Sequence, residues 1–398
     1  INISICQDSR AAGFLLNNNE NGIIENCTVE NMCGNGKAFN AGFVEMNAGK
    51  ITNSITTLSI NRNLDSIVGG FVGQNVGTIE GCTSICDIYS LYSNYDVVRS
   101  TGGFCGDNTG KISNCSSKGS IMSDGCLGGF CANNKGEILK SNSECNVVTR
   151  SETNKCGGFV GNNDKQGKIS SCISTGNVEG QDYVGGFCGS NAGEIVDSKA
   201  EGNAKAKTIS NTNRCGGFIG ENRGIVKNSS AKGSATGEEY VGGFAGVNNS
   251  EISGCHAIGK ATAKTKTHTA LAGGFVGENE KGKIANCTAT GGADSRSNSG
   301  PAKAGGFVGT NKASIVNSNA NGSVYLSAGT FYKDNGCGGF VGNNDQGGSI
   351  EGCYAEATVE TTNKKKGGGF VGEAENKSSV KNSKCKSVVV LKKGKTKK

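Results

Sequence analysis

Proline is almost absent from this chain, 1 in 398 residues, and tryptophan is missing altogether. So little proline excludes collagen and polyproline linkers. Histidine is nearly as scarce, with His256 and His268 the only 2, so most His-based catalysis and metal binding lose their raw material. No stretch approaches the ~18 consecutive apolar residues that a spanning helix needs. Large apolar side chains are also few: 34% of residues are hydrophobic and 6% aromatic, whereas 66 are glycine. Apolar residues and glycine together reach the usual share of about half. With so much of that share on glycine, no single globular core of Leu and Phe can be built. Disorder is not expected either, because the Gly, Val, Ile and Phe recur periodically.

The formal charge of +7 is unevenly placed. Residues 364–398 hold 12 Lys against Glu373 and Glu375, a net of +10, which leaves −3 for the other 363 residues. A nucleic-acid binder would carry a basic stripe along its folded body, and this body is faintly acidic. The end, Leu391 to Lys398, reads as a solvated basic tail.

What is present is a repeat. Aligned on Gly-Gly-Phe or Ala-Gly-Phe, 13 of the 15 phenylalanines fall in one series: Phe14, Phe43, Phe71, Phe104, Phe130, Phe159, Phe187, Phe218, Phe244, Phe275, Phe307, Phe340 and Phe370. Their spacing runs from 26 to 33 residues with a mean near 30. Asn follows four residues later in 12 copies, from Asn18 to Asn344, and only Ala374 departs. A Gly, an Ile or Val, and then a Cys or Ser complete the unit, as in Gly157 to Cys172.

Short Val, Ile, Phe and Thr-Ser runs bounded by Gly and Asn read as strands and turns. One unit has too little apolar surface to fold alone, so neighbours must stack and share a core. The expected fold is all-β, a parallel β-solenoid of about 13 coils with ~30 residues and three strands per coil, stacked at ~4.8 Å. One solenoid is expected over residues 1–391, followed by the basic tail 392–398. Phe over Phe predicts an aromatic ladder. Asn over Asn predicts an amide ladder at a corner that tolerates left-handed backbone. The residue after each Phe, such as Val44, Val72, Cys105, Val160 or Ile219, is almost always apolar. Strict alternation would put these side chains outward as an association stripe; a local bend would tuck them inside. Both readings stay open.

The run Gly-Gly-Phe-Val-Gly-x-Asn-x-Gly-x-Ile-x-x-Cys/Ser resembles the GLUG-motif repeat family of bacterial surface and secreted adhesin-like proteins. The resemblance covers essentially the whole chain and implies an extracellular, repetitive, β-rich stalk. It carries over no catalytic residue, and the many cysteines depart from the commoner form of the repeat. Ile3 and Cys6 match the end of a unit whose Gly-Gly-Phe part is absent, so the chain is expected to begin mid-repeat, as a processed form or fragment.

Seven of the 19 cysteines share their column with serine: Cys27, Cys82, Cys115, Cys172, Cys255, Cys287 and Cys353. That interchange predicts small buried free thiols. Bridges from Cys82 or Cys86 to a neighbouring coil remain open, and an odd total leaves at least one thiol over. No Cys-x-x-Cys occurs, so no metal site is expected. Asn-x-Ser/Thr sequons occur at Asn26, Asn114, Asn228, Asn286, Asn321 and Asn376, among others. Several lie beside the cysteine column inside an expected strand, which argues against glycan occupancy.

Repeat length varies between the Cys/Ser column and the next Gly-Gly-Phe, so insertions should emerge along one edge. Three stand out: Ser84 to Ser100 with Tyr89, Tyr92, Tyr95, Asp96 and Arg99; a second with Tyr325, Phe331, Tyr332 and Lys333; and Gly291 to Lys303. Tyrosines beside Asp and Arg suit a glycan- or protein-binding loop, and Tyr89, Tyr92, Tyr95, Asp96, Tyr325 and Tyr332 are the candidate ligand residues. A tyrosine-bearing strand that packs on the coils is the structural alternative. Glycoside-cleaving β-helices need paired carboxylates on one face, whereas Glu80, Glu137, Glu194, Glu251 and Glu351 fall at repeat-equivalent or nearby positions and read as solvated surface. No phosphate cradle is present, since each Gly-Gly-Phe leads into a strand rather than a helix.

These readings converge on a non-enzymatic extracellular or cell-surface solenoid, a stalk or filament subunit, with no cofactor, catalytic residue or metal. Lateral or end-to-end self-association is expected, with neither nucleic-acid binding nor membrane insertion. A carbohydrate-active β-helix enzyme is the runner-up. An ice-binding solenoid is discounted, since its Thr-x-Thr array is reduced to Thr265-Lys-Thr267-His-Thr269.

Overall fold

The computed structural model describes residues 2–5, 11–34, 39–61, 67–90, 100–149, 155–207, 213–328, 335–362 and 367–391. Two compact units divide the chain, Ile1–Gly202 and Asn203–Lys398. Each unit is a parallel β-solenoid built from the ~30-residue repeat, and no helix occurs among the described residues.

In the first unit one coil runs Cys126–Gly128, Cys131–Asn134, Glu137–Leu139 and Asn142–Val148. The second unit repeats the plan as Tyr240–Gly242, Ala245–Asn248, Glu251–Ser253, and a fourth strand split into His256–Ala257 and Ala261–Thr265. Each coil thus has four strands rather than the expected three. The extra one arises because the Gly-Phe pair is a bend that separates two short strands. Strands stack in register on their counterparts one coil on, for example Cys105 on Cys131 and Asn108 on Asn134, or Val276 on Val308 and Asn279 on Asn311. The described residues make about 11 such turns, against the 13 expected. The repeats of Phe14 and Phe370 lack full cover: Phe14 is 37% exposed, while the 11 rings from Phe43 to Phe340 are fully buried.

The phenylalanine ladder follows from the coil spacing. Phe104 and Phe130 stack with centroids 4.8 Å apart and planes within 2°, and Phe275 and Phe307 do the same. Parallel rings at that separation match the strand spacing. The bend also decides the stripe left open by the sequence. Val44, Val72, Cys105, Cys131, Val160, Cys188, Ile219, Val276, Val308 and Val341 are all fully buried. The carbonyl of Phe159 accepts from the N–H of both Phe130, at 2.8 Å, and Cys131, at 3.0 Å. Two successive N–H groups aimed at one oxygen break the alternation of a strand, so both side chains turn inward. No lateral apolar stripe is formed by these residues.

Glycine before Gly-Phe is required by close approach: a Cβ on Gly128 would stand 1.8 Å from the Cys131 carbonyl oxygen. The asparagine ladder is present, with Asn108 Nδ2 donating to Asn134 Oδ1 at 2.8 Å and Asn134 Nδ2 to Asn163 Oδ1 at 2.9 Å. In the second unit Asn248 donates to Asn279, and Asn279 to Asn311. These asparagines are not left-handed, contrary to expectation. The left-handed corner is the residue just before the Cys/Ser column: Asn26, Asn53, Gly81, Asn114, Lys140, Ser171, Asp197, Asn228, Gly254, Asn286, Asn317, Gly352 and Asn382, all with φ between 46° and 66°. Four sequon asparagines, Asn26, Asn114, Asn228 and Asn286, therefore sit on exposed corners and not inside strands.

The 17 cysteines whose side chains the structure describes are free thiols, Cys82 and Cys86 among them. The Cys/Ser interchange has a hydrogen-bond reason. Cys172 Sγ accepts from the Ser141 N–H at 3.5 Å and donates to the Ser170 carbonyl at 3.2 Å, while Ser198 Oγ accepts from the Cys172 N–H at 3.3 Å. Thiol and hydroxyl do the same work in the column. Burial pushes the thiols of Cys126, Cys172, Cys215 and Cys337 up to about 12, so they stay protonated and unreactive. Cys172→Ser should change the unfolding free energy by less than about 1 kcal/mol. Cys172→Ala should cost about 1–2 kcal/mol more, because the Ser141 N–H loses its acceptor. Denaturant titration of the two variants separates these outcomes.

Candidate functional site

Among the candidate ligand residues, Tyr92, Tyr95, Asp96 and Tyr332 lie outside the described residues. Tyr89 belongs to the first unit and Tyr325 to the second. Tyr89 ends the fourth strand Thr83–Tyr89 and is 44% exposed. Two residues back, Asp87 Oδ1 accepts from Ser120 N at 3.0 Å and Ser120 Oγ at 2.6 Å, tying this strand to the next coil.

Tyr325 lies half-buried on Val324–Ala328. The Arg296 guanidinium covers its ring at 4.7 Å from the centroid. Arg296 also grips Asp294 through two parallel bonds of 2.7 and 2.9 Å, and Lys260 Nζ reaches the same carboxylate at 3.3 Å. Burial works against the charge on Asp294, but the bonds from Arg296 together with Lys260 more than offset it and hold the carboxyl below its usual value. One face of the Tyr325 ring is therefore engaged by its own chain, which is the packed-strand alternative. The third insertion, Gly291 to Lys303, is mostly strand: Ala293–Ser297 and Ala302–Gly305 joined by a short turn.

Sequence reasoning passed over the buried carboxylates of the second unit. Glu221 and Glu278 stand three residues after Phe218 and Phe275, in a column that is mostly polar elsewhere, and that column was the available signal. Arg223 meets Glu221 at 3.1 Å, and Lys312 meets Glu278 at 2.5 Å. Glu239 is 8% exposed; its backbone N–H and that of Glu238 both donate to Asn213 Oδ1 at 3.1 Å. Burial, with Glu238 adding to it against the opposing Arg214, pushes the Glu239 carboxyl from 4.5 up to about 7.

A raised folded-state value means that this group favours folding fully below 4.5 and loses that contribution as pH climbs through about 7. Glu239→Gln should therefore leave stability at pH 4 nearly unchanged. At pH 8 it should raise stability by about 1–2 kcal/mol, after allowance for partial solvent screening. Unfolding measured at both pH values checks the sign.

The described residues also form a mainly polar groove of about 360 Å³ on the outer face of the second unit, lined by Asn321, Ser323, Glu356, Thr358, Lys386, the apolar Val388 and the turn residues Gly322 and Ala357. At its edge Tyr354 Oη donates to Glu356 Oε2 at 2.8 Å, a bond that raises the phenol above its usual value. Among the described residues no group of three or more His, Cys, Asp or Glu side chains is placed to hold a metal ion.

No curated protein and no solved structure matches the chain significantly. The family model of the GLUG motif matches residues 268–294 and 335–360. Both windows begin shortly before Gly-Gly-Phe, pass through the Cys column at Cys287 or Cys353, and end in the fourth strand of the coil. With these two matches the chain is shown to carry GLUG-motif repeats.

Proposed function

We propose that this chain is a non-enzymatic extracellular solenoid, on a microbial surface or secreted, that serves as a structural or adhesive stalk or filament subunit. The observation that carries the reading is how the interior polar groups are used. Buried asparagine amides bond coil to coil, from Asn18 to Asn191 in one unit and Asn222 to Asn344 in the other. The column thiols and hydroxyls do likewise. Such a body is suited to carrying load and presenting surface. Self-association belongs to the same proposal.

Protease shaving of intact source cells, or proteomics of their medium, should yield peptides of this chain; recovery only after lysis overturns the extracellular reading. Incubation with acidic polysaccharides should leave their length unchanged, and chain cleavage would favour the carbohydrate-active enzyme instead.

A further inference from the structure

In the second unit the fourth strand of each coil is broken by a turn, and glycine makes that turn stack tightly. A Cβ on Gly259 would stand 1.9 Å from the Gly233 carbonyl oxygen, and one on Gly291 would stand 2.1 Å from that of Gly259. At Gly322 the corresponding gap widens to 2.6 Å. One coil on, Ala357 occupies the equivalent place, as the register of Asn319 with Tyr354 and Val324 with Val359 fixes. Another coil on it is Ser387, whose hydroxyl accepts from the Ala357 N–H at 3.0 Å. The tight glycine stack ends here, and the groove of about 360 Å³ opens across these three turns.

Its size falls in the ~300–1,000 Å³ range of small-ligand sites. The chemistry of its lining narrows the ligand. Most pockets of that size are mainly apolar, whereas this one, beside the single large apolar side chain of Val388, presents an amide at Asn321, hydroxyls at Ser323 and Thr358, a carboxylate at Glu356 and an ammonium at Lys386. The two charges are opposite, so the lining itself favours no net ion. Tyr354 stands at the rim with its hydroxyl fixed by Glu356, leaving a half-buried aromatic ring beside a row of hydrogen-bonding groups. Hydroxyl-rich, uncharged and partly flat ligands use that combination.

We infer that the groove bounded by Asn321, Tyr354, Glu356 and Lys386 binds a neutral oligosaccharide, an assignment that rests on the adhesive part of the function proposed above. Tyr354 supplies the stacking face, Asn321 and Glu356 take sugar hydroxyls as donor and acceptors, and Lys386 donates from the adjoining coil.

The test is an array of neutral oligosaccharides probed with the full chain, with hits titrated calorimetrically at low and high salt. Binding is expected to change by less than about 2-fold with salt, since no ion pair with the ligand is made. Tyr354→Ala and the pair Asn321→Ala with Glu356→Gln should each weaken it by about 10-fold or more. Tyr354→Phe should cost less, and Tyr89→Ala nothing. These are surface positions, and thermal unfolding of each variant confirms that the fold is kept.

Neutral-glycan binding indifferent to the groove variants would overturn the site and leave the adhesive reading standing. Binding only of acidic glycans, lost steeply with salt, would overturn it in favour of the lysine-rich end. No glycan binding at all would also overturn it; attachment of the intact chain to protein-coated surfaces then tests adhesion separately.

Discussion

Phe130→Ala is expected to destabilise the first unit by about 3–5 kcal/mol, the range for deleting a buried aromatic side chain. Phe130 is fully buried and stacks at 4.8 Å on Phe104 on one side and on Phe159 on the other. Truncation removes two stacked contacts together with the ring's burial, and the coils cannot close over the gap. Their separation is set by backbone bonds such as Phe104 N to the Phe130 carbonyl at 2.8 Å. Because stacked repeats unfold through neighbours rather than all at once, hydrogen exchange should show the loss centred on residues 100–163. Phe14→Ala, at a ring already 37% exposed, should cost distinctly less. Equal losses at the two positions would refute the ladder as the main source of cohesion.

Asn134→Ala should cost about 2–4 kcal/mol although it removes little apolar contact. The substitution strips Asn108 Nδ2 of its acceptor and Asn163 Oδ1 of its donor, both fully or almost fully buried. Each stranded polar group costs about 1–3 kcal/mol. Asn134→Asp sharpens the test. A carboxylate there would face Asn163 Oδ1 with no proton to offer, so its folded pKa must rise. That variant should be most stable below the ordinary carboxylate value and lose stability as pH rises through the elevated one. A flat pH profile for Asn134→Asp would mean that the ladder is not closed to water.

The ladders were legible in the sequence because a stacked fold turns tertiary contact into sequence period. Each Phe and Asn meets its own copy, so their repetition states the contact directly. The Cys/Ser interchange was legible as a small side chain, and its hydrogen-bonding role was not, since that depends on the N–H one coil back. The left-handed corner left a trace that went unread: Asn or Gly fills it in most copies, but Lys140, Ser171 and Asp197 blur the pattern. Tyr325 stood out in the sequence only as a candidate ligand residue, and nothing in its neighbourhood announced Arg296, which lies 29 residues earlier and one coil away. The groove was hidden for a similar reason. Ala357 in its lining takes the place that glycine holds in the preceding coils, and that replacement matters only where turns stack.

By itself the sequence determined the all-β class, the coil length and the two ladders, because a period near 30 residues admits one economical way to bury short strands. The tertiary structure decided which way the residue after each Phe points and which polar side chains share a surface. Those outcomes depend on shared carbonyls, close glycine contacts and coil-to-coil neighbours. Such relations join residues about a full repeat apart, and the local order of residues does not carry them.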